Sequence, residues 1–303
     1  MAYTSTDPRS TLPTSSAGAP RSASPNIAPQ YFEFARSEPT EVTPGGSRSW
    51  WMRSQAIVGN YVEPTAGDTV ERTGQVDEYV VMFTEPMARA TIEAGGERVD
   101  VAGRTLAIVP PGDSAIHVAT DTPIVRLFST QDAALAARAV NASVYVEPDP
   151  HVAPFVAWPE PPEGFRIRCY DVDAVAPEQG RFGRMWRCTT LMVNWFYDAP
   201  GPRPADAMSP HHHDDFEQLS LQLGGDYVHH IRTPWTTDMR TWRDDEHRHC
   251  TSPSITVIPP PAVHTSQAVG DTSHFLVDIF APPRADFSAK PGWVLNADEY
   301  PVP

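Results

Sequence analysis

The chain has 303 residues, and its 23 basic against 38 acidic side chains leave a formal net charge of −15. That balance offers no attraction to phosphate backbones or anionic membrane surfaces, which excludes nucleic acid and membranes as expected partners. A hydrophobic share of 40% with 10% aromatics is ordinary for a globular protein, and no apolar run is long enough to cross a bilayer.

Residues 1–29 are rich in Ser, Thr, Pro and Ala, a composition that cannot repay the entropy of ordering, so a flexible tail is expected there. It contains no apolar stretch behind a basic start, so no secretory signal is read and the cytoplasm is the expected location. From residue 30 short alternating runs such as EYVVMFTE, TLAIVPPGD and TPIVRLFST are separated by Gly, Pro and Asp turns, an all-β rhythm. TQDAALAARAV then predicts a short helix capped by Thr130 or Asp132. The Pro-rich passage VEPDPHVAPFVAWPEPPEGF reads as a linker, followed by a second series of strands including TTLMVNWFYD, EQLSLQLGG, DYVHHIR, SITVIPPP and HFLVDIFAPP. The expected organisation is therefore a tail over 1–29 and two domains, 30–145 and 146–303. A short internal match, TLAIVPPGDSAIH with SITVIPPPAVH, supports the division.

The stretch SPHHHDDFEQLSLQLGG, 209–225, carries the densest chemistry. In an extended segment His211, His213, Glu217, Leu219, Leu221 and Leu223 share one face, and the leucines mark it as inward. His212 then points away, and Asp214 and Asp215 belong to a turn or rim. Two imidazoles and a carboxylate converging inside a barrel suit one divalent metal, Fe(II) or Mn(II) first, with Zn(II) or Ni(II) as alternatives. His264, after a strand and a proline turn, is placed to add a fourth ligand.

Residues 211–224 read H-x-H-x3-E-x6-G, which resembles the first metal motif of the cupin superfamily, and Pro259 with His264 resembles the second. The resemblance implies an all-β chain of two tandem cupin barrels, double-stranded β-helix jelly rolls, with His211, His213, Glu217 and His264 as the metal set. The motif glycines fall at Ala205 and Pro261, which departs from the pattern. The first half resembles a cupin that has lost its metal: Glu71, Thr73 and Glu78 stand where the first motif belongs, Pro110 and Gly112 are kept, and His117 is out of register.

Beyond the ligands, one of His229 and His230 must face inward, and either is a candidate acid/base. Arg232 is the expected anchor for a substrate carboxylate. The long segment TPWTTDMRTWRDDEHRHCTSPS fits a lid or a subunit contact, so a homo-oligomer is an open possibility; His247, His249 and Cys250 in it lack the spacing of a second metal site. Cys169, Cys188 and Cys250 form neither a disulfide framework nor a zinc ribbon. The single lysine, Lys290, sits in no phosphate loop. The resemblance to uronate-isomerase-type bicupins implies an isomerase, epimerase or lyase acting on a small, anionic sugar-acid or keto-acid substrate. An Fe(II) dioxygenase is the alternative, and a non-catalytic binding barrel is third.

Overall fold

The computed structural model describes residues 27–181 and 183–303. The tail expected over 1–29 therefore lies, as far as residue 26, outside the described residues. Each half of the chain folds into a barrel of two antiparallel sheets. In the first, a sheet ordered through Thr105–Val109, Tyr79–Phe83, Ile124–Ser129, Ile57–Glu63 and Arg48–Arg53 faces a four-stranded sheet that includes Gly112–Val118. In the second, a sheet ordered through Ser254–Ile258, Gln218–Gly224, Ser273–Phe280, Met192–Trp195 and Arg184–Arg187 faces the three-stranded sheet of Glu246–Thr251, Asp226–Arg232 and Val263–Val269. The two series occupy the same sheet positions, so Tyr79–Phe83 corresponds to Gln218–Gly224. The expected helix forms over Ala133–Ala136, where the Asp132 carboxylate accepts from the Leu135 N–H at 2.9 Å.

Two strands cross the division expected at 145/146, one in each direction. Gln30–Glu33 pairs with Ser254–Ile258 at the edge of the second barrel, while Arg168–Asp171 pairs with Thr105–Val109 at the edge of the first. Each barrel is thus closed on one edge by chain that precedes the other, which removes two exposed sheet edges.

Strand alternation sorts the buried side chains into three environments. Val58, Val62, Tyr79, Val81, Ala107 and Phe128 fill the lumen of the first barrel. Their neighbours Ile57, Tyr61, Val80, Met82 and Leu106 point the other way and pack against Leu219, Leu221, Val257, Val277 and Ile279 in one apolar seam between the barrels. The lumen of the second barrel is the exception. Gln218, Ser220, Gln222, His229, Ser254 and Asp278 lie there, all buried and all polar. The leucine face of 217–223 therefore looks out of its barrel into the seam, correcting its expected inward direction. The physical reason is that a sheet packed against a second barrel buries both faces, so apolar character does not distinguish lumen from seam.

Candidate metal centre

His211, His213 and His264 converge, with one ligating atom from each lying within 4.8 Å of the others, and all three are buried. Backbone pairing aligns two of them: the N–H of His211 donates to the His264 carbonyl at 3.0 Å, and the return bond is 2.7 Å. His211 Nδ1 donates to the Ser209 carbonyl at 2.9 Å and His264 Nδ1 to the Ala262 carbonyl at 3.0 Å. A carbonyl only accepts, so both rings carry their proton on Nδ1 and keep the lone pair on Nε2. Such second partners fix tautomer and ring orientation in metal sites.

His213 is held by a chain of buried polar groups. Its Nε2 lies 2.9 Å from Gln218 Oε1, Gln218 Nε2 donates to Ser220 Oγ at 3.0 Å, and Ser220 Oγ donates to Asp278 Oδ1 at 2.7 Å. Arg284 Nη1 stands 3.4 Å from His213 Nδ1; its guanidinium lies over the rings of Phe216, Phe280 and Phe287 and pairs with Asp286. Burial, then the Arg284 charge, hold the His213 imidazolium well below its ordinary range. The ring is therefore neutral, the form in which an imidazole binds metal.

Glu217 is not in this cluster, which corrects its expected role as a ligand. Its Oε2 accepts from the Gln55 N–H at 2.6 Å and its Oε1 from Tyr145 Oη at 3.1 Å, both groups of the first half of the chain. Glu78, the residue before the corresponding strand, makes the mirror-image set. It accepts from Thr189 N at 3.1 Å, Thr189 Oγ1 at 3.0 Å and Tyr300 Oη at 2.7 Å. Gln55 and Thr189 occupy the same turn in their respective barrels, between Arg48–Arg53 and Ile57–Glu63 and between Arg184–Arg187 and Met192–Trp195. A glutamate that makes these bonds in the barrel where no histidine cluster is found among the described residues is a clasp across the seam, and Glu217 is its twin. Burial outweighs the donors and pushes the Glu217 carboxyl up to about 7.

Alternation resolves the choice left open between His229 and His230. His229 is fully buried, with Nε2 at 2.5 Å from Gln222 Nε2 and Nδ1 at 2.9 Å from Ser266 Oγ; burial pulls its pKa down to about 3. His230 faces outward, 2.7 Å from His247. Arg232 shares that outer parity, and its guanidinium pairs with the exposed Asp245 at 3.0 Å. The expectation that Arg232 anchors a substrate is corrected accordingly. His117, on the outside of the first barrel, contacts Thr69 and Glu93.

A cavity of about 670 Å³ opens beside the cluster, lined by His211, His264, Gln218, Ser266, His274 and Asp278 among others. Its cover is the segment 199–209, pinned by Arg203, which donates to the Ala207 and Ser266 carbonyls and to Ser209 Oγ at 3.0–3.1 Å. The segment expected to act as a lid, which carries the stacked Trp235 and Trp242, does not line this cavity. The sequence reading missed Gln218, Ser220, Asp278 and His274. The signal for the first two was present: Gln218, Ser220 and Gln222 alternate with leucines in a strand with no solvent face.

No family profile matches the chain, and no curated protein matches it in sequence. Solved structures do match. The formate complex of Lactobacillus farciminis oxalate decarboxylase superposes over 84% of this chain and 86% of its own, with a TM-score of 0.57 at 15% identity. A variant of the Bacillus subtilis oxalate decarboxylase superposes over 82% and 76%, with a TM-score of 0.54 at 14% identity. The chain has the bicupin fold. Within this bicupin the histidine cluster belongs to the second barrel alone among the described residues, as the sequence pattern anticipated.

Proposed function

We propose that this bicupin is a metal-dependent enzyme that acts on a small oxygenated acid by redox-neutral chemistry, in the isomerase, epimerase or lyase class. One divalent ion, Mn(II) or Fe(II), is held by His211, His213 and His264. The observation that carries the reading is three converging buried imidazoles, two of them with Nδ1 tied to backbone carbonyls and lining a cavity large enough for substrate. The fold neighbours, named as oxalate decarboxylases and one of them in complex with formate, support a small carboxylic acid as the substrate class.

When bound, the ion supplies Lewis acidity toward a substrate oxygen. The protein's own contribution is positional. Gln218, Ser220 and Asp278 hold His213 in place, Arg203 fastens the cover, and the apolar seam keeps the sheet rigid behind the ligands. His229 stands behind Ser266 and fixes that hydroxyl at the cavity wall.

The test is elemental analysis of the purified protein followed by turnover of a panel of sugar acids and keto acids under argon and in air. Equal turnover in both atmospheres, dependent on the metal, is expected. Oxygen consumed in step with the substrate assigns the Fe(II) dioxygenase reading instead.

A further inference from the structure

The cavity wall bears on which acid the site takes. Ser273–Phe280 presents His274, Leu276 and Asp278 to the cavity, three alternate residues spanning about 13 Å at roughly 3.3 Å per residue. The histidine cluster lies toward the Asp278 end, connected through Ser220 and Gln218. The far end is His274, set edge-on against Tyr227 with ring centroids 5.4 Å apart.

This wall accepts hydrogen bonds rather than donating them. His274 Nε2 donates to the Val269 carbonyl at 2.8 Å, which leaves Nδ1 as the ring's acceptor atom. That atom is buried and has no hydrogen-bond partner among the described residues. A buried acceptor left without a donor costs about 1–3 kcal/mol, which a ligand hydroxyl relieves. Asp278 Oδ1 accepts from Ser220 Oγ at 2.7 Å, and a carboxylate only accepts, on two oxygens that each take more than one hydrogen bond.

Cationic groups are scarce on the same wall. Among the described lining residues Arg203 carries the one guanidinium, and its Nε, Nη1 and Nη2 donate to the Ala207 carbonyl, the Ser266 carbonyl and Ser209 Oγ. A second carboxylate on the substrate therefore finds no guanidinium offered to it, and repulsion from Asp278 works against it. Leu276 lies between the polar ends, and Phe196 and Met208 add further apolar lining.

We propose that the substrate is a polyhydroxylated monoacid longer than a two-carbon diacid, laid along Ser273–Phe280 with its oxygenated reacting end at the histidines and its hydroxyls donating to Asp278 and His274. The proposal rests on reading the histidine cluster as the reaction centre, and the experiment separates the two. The Mn(II)-loaded full chain is titrated calorimetrically with gluconate and with oxalate, and its metal content is measured alongside. Gluconate is expected to bind at least tenfold more tightly than oxalate.

His274→Gln keeps a donor for the Val269 carbonyl but removes the ring acceptor, so it should weaken gluconate about tenfold with metal content unchanged. Asp278→Asn, which keeps the shape and loses the charge, should weaken gluconate about tenfold, with metal content measured alongside because Asp278 also supports His213 through Ser220 and Gln218. Oxalate binding as tightly as gluconate, or gluconate binding unchanged in both variants, overturns the proposal. A parent protein that takes up no metal yet binds gluconate in a His274-dependent way overturns the metal reading and supports this one.

Discussion

At the scale of the residue, Glu217 is a carboxyl whose desolvation outweighs its donors, and its pKa rises to about 7. The folded value lies above the unfolded one, so the protonated form is favoured by folding. The contribution is complete below the unfolded value of about 4.3 and is lost as pH rises through about 7. Ionising this group in the seam costs on the order of 3 kcal/mol by that linkage. Glu217→Gln removes the titration and keeps one acceptor oxygen, for the Gln55 N–H. Its thermal midpoint relative to the parent is therefore expected to rise between pH 5 and pH 8, and a constant difference would contradict the assignment. The histidines were legible because two of them stand two positions apart just ahead of a strand and the third follows a strand and a proline turn. Glu217 matched the same spacing, but its direction depends on a partner, the Gln55 turn, that lies 162 positions away in the sequence.

The strand Gln218–Gly224 shows what one element must do at once. Its leucines build the seam, its polar residues line the lumen, and its last glycine permits close packing. A Cβ at Gly224 would stand 2.2 Å from the ring of Phe275, so the glycine that closes the histidine motif is required by the neighbouring strand. Gly224→Ala is expected to cost about 1–3 kcal/mol through overpacking, read as a lowered denaturant midpoint with an unchanged slope. Leu221→Ala, at a fully buried seam position, should cost about 2–5 kcal/mol; a loss below 0.5 kcal/mol, roughly that of a surface change, would place Leu221 outside the packed seam. The strands, their alternation and the helix cap were readable from local pattern. The assignment of faces was not, because both faces of this sheet are buried and only tertiary contact says which is the lumen.

At the scale of the whole molecule, the exchanged strands and the paired Glu78 and Glu217 clasps tie each barrel to the other. Neither barrel keeps its edge strand or its seam if its partner unfolds. A single cooperative thermal transition is expected by calorimetry, with near-UV and far-UV signals melting together; two resolved transitions would show that the barrels are independent. The tandem arrangement was legible from the internal repeat and the Pro-rich passage, whereas the exchange of edge strands left no local signature. Within this joined pair the first lumen is packed mainly by apolar side chains, whereas the second is polar and bears the histidine cluster. The direct measurement is metal content per chain for the parent, His213→Ala and Glu217→Gln, each checked for native folding. One metal in the parent, near-complete loss in His213→Ala and full retention in Glu217→Gln are predicted. Retention in His213→Ala, or loss in Glu217→Gln, would contradict a centre built from the three histidines alone.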